Sequence, residues 1–268
     1  MPSRSRALAA LTATWVLGLA PAVTAHAQGF TVMTWNIAHA RVTHNDLAPI
    51  GRTIARQHPD VVGLQEVDRS WSRSGSVDQA SLLGVQLRMF KFFDLTLDCR
   101  GADLDGDGTC QYGTAILSRR PLGGRRTYFL RGSGNDEPRG LARASVFVGG
   151  HRITIFNTHL GKGHSRALQI RHILRVLAHT RGPYVLMGDF NARPAGPPLD
   201  RLLQRVTDAA RVRHVRRPTI AGTRLDYVFV SRDLSVLAAR IPRLPPGQLS
   251  DHRPVIVRLR VKPPPVRK

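Results

Sequence analysis

Eight polar residues stand at or beside the ends of apolar runs, and together they form a set able to hold a cation and move protons. Asn36 closes the run 30–36, Glu66 follows Val61-Val-Gly-Leu-Gln65, His159 follows Ile153-Thr-Ile-Phe-Asn-Thr158, and Asp189 follows Tyr184-Val-Leu-Met-Gly188. Asn191 comes two residues later, Asp226 opens Leu225-Asp-Tyr-Val-Phe-Val230, and Asp251-His252 precede Pro254 and a last apolar run. A site rich in oxygen donors suits a hard divalent cation such as Mg²⁺. A carboxylate beside an imidazole fixes its tautomer and favours its charged form. Strand ends at one edge of a sheet converge, so this pattern places the eight side chains in one cleft.

Taken singly, each residue has an ordinary reading. Asn36 and Asn191 fit turns or caps, Glu66 a solvated strand end, His159 a hydrogen-bonded structural imidazole, and Asp226 an ion pair with an Arg. Tyr112 alone fits the core or its rim. The repeated context outweighs these readings. Glu occurs only at Glu66 and Glu137, so a Glu directly after a buried run is not ordinary surface.

The elements that must carry these residues alternate between strand and helix patterns. Strand-like runs cover 30–36, 61–65, 90–97, 112–118, 125–131, 141–148, 152–157, 184–187, 225–230, 235–240 and 255–261. Helical spacing covers 45–58, with Leu47, Ile50 and Ile54 on one face and Pro59 as its stop. It recurs over 79–89, 165–179 (Ile170, Ile173, Leu174 and Leu177) and 199–206. With no internal repeat or linker, residues 28–262 read as one mixed α/β domain, followed by a disordered, Pro-rich charged tail at 263–268.

Composition bounds the rest. The 268 residues, 42% hydrophobic and 22% charged, exclude a fibrous or disordered chain. Two cysteines exclude a four-thiolate zinc site. A net charge of +22 favours anionic partners, although 36 of the 40 basic residues are Arg, a skew that GC-rich coding alone produces. Residues 1–27 have the pattern of a cleavable signal peptide: Arg4 and Arg6, an apolar run, then Ala25-His26-Ala27. The expected location is therefore secreted, periplasmic or cell-envelope. There, Cys99 and Cys110 are expected to close a disulfide that adds about 2–3 kcal/mol.

Seven blocks in order carry a resemblance to a known family. They are Thr34-Trp-Asn-Ile37, Leu64-Gln-Glu-Val67, Tyr112-Gly-Thr-Ala-Ile-Leu-Ser118, Asn157-Thr-His-Leu160, Gly188-Asp-Phe-Asn191, Leu225-Asp-Tyr-Val228 and Ser250-Asp-His-Arg-Pro254. From 30 to 261 the chain resembles the endonuclease/exonuclease/phosphatase superfamily, which includes deoxyribonuclease-I-like nucleases, abasic-site endonucleases, sphingomyelinases and inositol polyphosphate 5-phosphatases. The resemblance implies a four-layer α/β/β/α sandwich of two face-to-face mixed sheets with helices outside. It also implies a metal-dependent hydrolase of phosphoesters. Carried over residue by residue, Glu66 is the main Mg²⁺ ligand, with Mn²⁺ as an alternative ion, and Asn36 and Asp251 stand nearby as ligands or a second metal position. Asp189 activates water, aided by Asn191. His252, paired with Asp226, meets the phosphate, and His159 and Tyr112 donate to it. Asp189 and His252 both remain candidates for the base. Arg139 matches an Arg of bacterial relatives and is expected to contact phosphate.

One segment departs from the family pattern. Asp103, Asp105 and Asp107 match the start of a Ca²⁺ loop, but Thr114 stands at the twelfth position, where such loops carry Glu. The alternatives are a second, Ca²⁺-binding site and a solvated acidic turn. For the substrate, the basic charge favours nucleic acid. Phospholipid headgroups and inositol phosphates are the alternatives, and a catalytically inactive binding module is the remote one. No obligate protein partner is implied, and a monomer is expected.

Overall fold

The computed structural model describes residues 29–98, 110–134, 136–194, 196–244 and 247–263. The signal segment, Cys99, the acidic loop at Asp103, Asp105 and Asp107, and tail residues 264–268 lie outside the described residues. In chain order the strands are β1 (Phe30–Asn36), β2 (Val61–Arg69), β3 (Phe90–Asp98), β4 (Gln111–Ser118), β5 (Gly123–Leu130) and β6 (Arg139–Val148). They continue with β7 (His151–His159), β8 (Tyr184–Asp189), β9 (Thr207–Asp208), β10 (Asp226–Val230), β11 (Leu234–Arg240) and β12 (Val255–Val261). The helices are α1 (Ala48–Arg56), α2 (Gln79–Leu87), α3 (Gly163–Ala178), α4 (Pro197–Leu203) and α5 (Ala209–Val212).

The strands build two six-stranded sheets, ordered β11-β12-β1-β2-β4-β3 and β5-β6-β7-β8-β10-β9. Period-two alternation gives each sheet two apolar faces. The inner faces meet through residues such as Val32, Ile155, Met187 and Val257. The outer face of the first sheet packs Met33 and Trp35 against Ile54 and Leu83 of α1 and α2. On the second sheet, Phe156 and Leu186 pack against Ile173 and Leu199 of α3 and α4. This is the four-layer α/β/β/α sandwich that the sequence implied.

Each sheet holds one parallel pair, β1–β2 and β7–β8, and their C-terminal ends lie at the same pole. A buried amide bridge ties these two pairs together. Gln65 Nε2 donates to Asn157 Oδ1 at 2.6 Å and to Thr34 Oγ1 at 3.0 Å. Asn157 Nδ2 donates to the carbonyls of Leu64 and Ala115. Gly63 allows this approach, because a Cβ there would come within 2.6 Å of Asn157 Oδ1.

Several elements differ from the sequence expectation. The helix expected at 45–58 begins at Ala48, where the Asp46 carboxylate accepts from the Ala48 N–H at 2.8 Å and Pro49 occupies the first turn. A 3₁₀ segment, Ala38–Thr43, precedes it. Strand β2 runs past 65 to Arg69, because Arg73 neutralises buried Asp68 with two 2.8 Å hydrogen bonds. The helix expected at 199–206 starts at Pro197 instead, as proline at the first helical positions favours. Short β9 and α5 had no sequence signal. Asp208 caps α5 by accepting from Ala210 N and Arg211 N.

Candidate active site

Local backbone features aim the polar residues into one cleft of about 440 Å³ at the pole where the parallel pairs end. The β2–β4 register shifts between Leu64 and Val67, and Glu66 adopts φ 54°, which turns its carboxylate out of the strand alternation. Such a conformation costs about 1–3 kcal/mol for a residue with a Cβ and persists only where the surroundings enforce it. Gly188 precedes Asp189 at φ 146°, against the Thr158 carbonyl, where no side chain fits. Asn191 turns the chain just after β8 at φ 48°.

Asp189 lies at the centre of the site. Its Oδ2 stands 3.2 Å from Asn36 Nδ2, 3.5 Å from His159 Nε2 and 3.7 Å from His252 Nε2. Its Oδ1 accepts from the Asn191 N–H at 2.8 Å. Burial, with neighbouring Asp226 adding to it and His252 opposing, pushes the Asp189 carboxyl up to about 7. His252 Nδ1 donates to Asp226 Oδ2 at 2.8 Å. Burial pulls the His252 imidazole down, but Asp226, Asp189 and Asp251 outweigh it and raise it to about 9. His159 goes the other way: burial, reinforced by Arg139, lowers it to about 3. One histidine is thus a cation and the other neutral near pH 7.

Glu66 faces this group from the other sheet. Its Oε1 accepts from Asn36 Nδ2 at 2.9 Å, and its Oε2 lies 3.6 Å from His39 Nδ1. Burial raises its pKa, yet His39, His159 and Asn36 together hold it well below the usual carboxylate range. Asn36 Oδ1 accepts from the Ala38 N–H, so its amide donors face both carboxylates. Asp251 stands at the rim, 4.0 Å from Arg41.

Two other expected residues also line the cleft. Tyr112 is buried against Trp71, and burial keeps its phenol neutral by raising its pKa well above 10. Arg139 pairs with Glu137 at 3.1 Å, and its buried Nε has no partner. The structure thus brings together the eight strand-end residues with Tyr112 and Arg139. Cys110 is buried just before β4, where it packs with Trp71 and Tyr112.

Sequence reasoning missed His39, Arg73, Lys162 and Glu137, all on the cleft wall. The signal for Glu137 was present: the scarcity of Glu that singled out Glu66 applies equally to it. His39 left a weaker trace, because its place depends on left-handed backbone at Ala38, His39 and Ala40.

A divalent cation suits the Glu66 side of the cleft, where an ionised carboxylate and Asp251 supply hard oxygen donors. Asp189, Asp226 and His252 also offer ligand atoms within 4.8 Å of one another. There, however, the His252 ring is a cation donating to Asp226, so this trio reads as a proton network.

Comparison with known proteins agrees with this geometry. The model of the Endonuclease/Exonuclease/phosphatase family matches residues 33–252. No curated protein matches the chain significantly. Among solved structures, an endonuclease/exonuclease/phosphatase from Beutenbergia cavernae is 28% identical with a TM-score of 0.72, over 90% of this chain and 73% of that one. The catalytic domain of human Nocturnin is 19% identical, with a TM-score of 0.68 over 87% of this chain and 95% of that one. A mannosyl-6-phosphatase from Bacteroides thetaiotaomicron is 16% identical, with a TM-score of 0.66 over 86% and 99%. The last two likenesses show the fold alone.

Proposed function

Because this chain belongs to the endonuclease/exonuclease/phosphatase family of metal-dependent phosphoesterases, we propose that it is an exported Mg²⁺-dependent nuclease. The observation that carries the reading is Asp189 Oδ2 in the midst of Asn36, His159 and His252, with Glu66 facing it across the cleft. Glu66 and Asp251 are the proposed ligands of the cation, and Asn36 holds the Glu66 and Asp189 carboxylates in register. When bound, the cation neutralises phosphate oxygens and acidifies water.

The chain's own residues do the remaining work. Asp189 takes the proton of the attacking water, a role suited to a carboxyl raised towards neutrality. His252, already protonated, stabilises charge on the phosphate and is the wrong form for a base; Asp226 keeps it so. Neutral His159 and Asn191 place the water and the phosphate. Tyr112, Arg139, Arg73 and Lys162 line the wall with donors for the phosphoryl oxygens.

The basic balance of +22 supports a polyanionic substrate. The signal-type start supports export, and with it a Cys99–Cys110 disulfide. The direct test is plasmid nicking in Mg²⁺ and in EDTA, beside His252→Ala. Mg²⁺-dependent nicking that the variant loses is the expected result. Hydrolysis of bis-p-nitrophenyl phosphate without any nicking would keep the mechanism and transfer the substrate to lipid headgroups or inositol phosphates.

A further inference from the structure

A second basic region lies on the outer face of the second sheet, away from the catalytic cleft. Helix α3 covers β7 and β8 there, and β5 with the adjoining part of β6 lies beside it. Between them runs a groove of about 870 Å³ lined by Arg126, Arg143, Arg152, Arg175, Arg181 and Tyr128, among others. No carboxylate lines it. Among the described residues, none of these five arginines is ion-paired, whereas Arg73, Arg139 and Arg224 each have an acidic partner. Gathering unpaired guanidinium groups is unfavourable without an anion to answer them.

The groove also contains a built cradle. Gly124 adopts φ +54°, and Arg143 Nη1 and Arg152 Nη2 lie 3.4 and 3.8 Å from the point where its Cβ would be. The two guanidinium groups therefore converge on a space that any side chain would fill. Arg143 is steadied by donating to the Gly124 carbonyl at 3.1 Å, and Arg126 stacks on Tyr128 at 4.7 Å. Beside Arg152 in the β6–β7 register stands Phe147, on the same face of β6 as Arg143 and 61% exposed. Unpaired cations beside an exposed aromatic ring, here Phe147, suit a nucleic-acid strand with an unstacked base.

We propose that this groove binds single-stranded nucleic acid, with phosphates between Arg143 and Arg152 and a base against Phe147. The biological substrate rests on the nuclease reading above, but the binding does not depend on cleavage. Arg139, in the catalytic cleft, and Arg143 lie four residues apart on β6, about 13 Å.

The test is binding of a fluorescent 20-nucleotide oligodeoxythymidine in EDTA, where nothing is cut. At about 50 mM salt, the triple variant Arg143→Ala/Arg152→Ala/Arg181→Ala is expected to bind at least about tenfold more weakly. Its slope of log affinity against log salt is expected to fall by about 2, as three lost phosphate contacts require. Phe147→Ala is expected to weaken binding severalfold with the slope unchanged, since stacking releases no counterions. Both variants alter side chains that are not deeply buried and should keep the melting temperature and the rate on bis-p-nitrophenyl phosphate. Oligonucleotide affinity of the triple variant within twofold of the original protein overturns the proposal. So does loss of binding to phosphatidylglycerol vesicles with oligonucleotide binding intact, which would make the groove a lipid-facing surface. Groove-dependent binding without nicking in Mg²⁺ would sink the nuclease reading and leave the groove standing.

Discussion

The units β1–α1–β2 and β7–α3–β8 are built alike: a parallel strand pair joined through a helix and ending at the same pole. The first delivers Asn36 and Glu66, and the second His159 and Asp189. Both carboxylates feel desolvation as their largest single influence, yet they come out on opposite sides of the ordinary value. The bulge before Glu66 turns it towards His39 and Asn36 and leaves its side chain 26% exposed. Asp189 stays in register opposite Asp226 in the β8–β10 ladder, with its side chain 2% exposed and a like charge beside it. Neighbours, not strand position, set the two apart: one carboxylate stays ionised, as the proposed cation ligand must, and the other is raised, as the proposed base requires. Environments that push paired acids apart mark their separate roles.

Substitutions can break this division. Asp189→Asn has the largest expected effect, a loss of about 10³–10⁴ in kcat on bis-p-nitrophenyl phosphate, with half-saturating Mg²⁺ unchanged. Glu66→Gln is expected to lower the rate by about 10²-fold, in the range seen when a single charge-stabilising group is removed. It should also raise half-saturating Mg²⁺, so that added metal restores part of the activity. A Mg²⁺ titration of both variants separates the two roles.

Asp226→Asn should act through His252. In the original protein His252 is protonated below about 9, so the alkaline fall in kcat/KM lies near that pH. Without Asp226, that limb should move down towards the ordinary imidazole value of about 6.5. Stability follows the same sign. Because the folded pKa is raised, this pair contributes fully below the unfolded value of 6.5 and is lost as pH rises through about 9. The difference in melting temperature between the original protein and Asp226→Asn should therefore shrink across that window. Lys162→Ala, at an exposed residue of the cleft wall, is the mildest change, a severalfold rise in KM with kcat kept, read by steady-state kinetics.

Much of this site was legible because buried strands of apolar residues end abruptly in Asn, Glu, His or Asp. The seven blocks then implied the sandwich, and the strand ends converge as expected. Elements set by tertiary contacts were not legible. Asp68 and Arg69 look like the charged end of a strand, but β2 continues through them because Arg73 reaches back to Asp68. Likewise β9 and α5 are too short to carry a period, and they form where Phe229 and Val230 of β10 offer a free edge. The roles within the site were also hidden. Sequence left Asp189 and His252 both open as the base, and only the contacts of His252 with Asp226 and Asp189 favour Asp189.

The division between the two carboxylates is most directly tested by a ¹³C NMR titration of side-chain carboxyls in the metal-free protein, with Asp189→Asn and Glu66→Gln assigning the signals. Asp189 should take up its proton near pH 7 while Glu66 stays ionised to well below pH 4. Both groups titrating together near pH 4 would contradict the account.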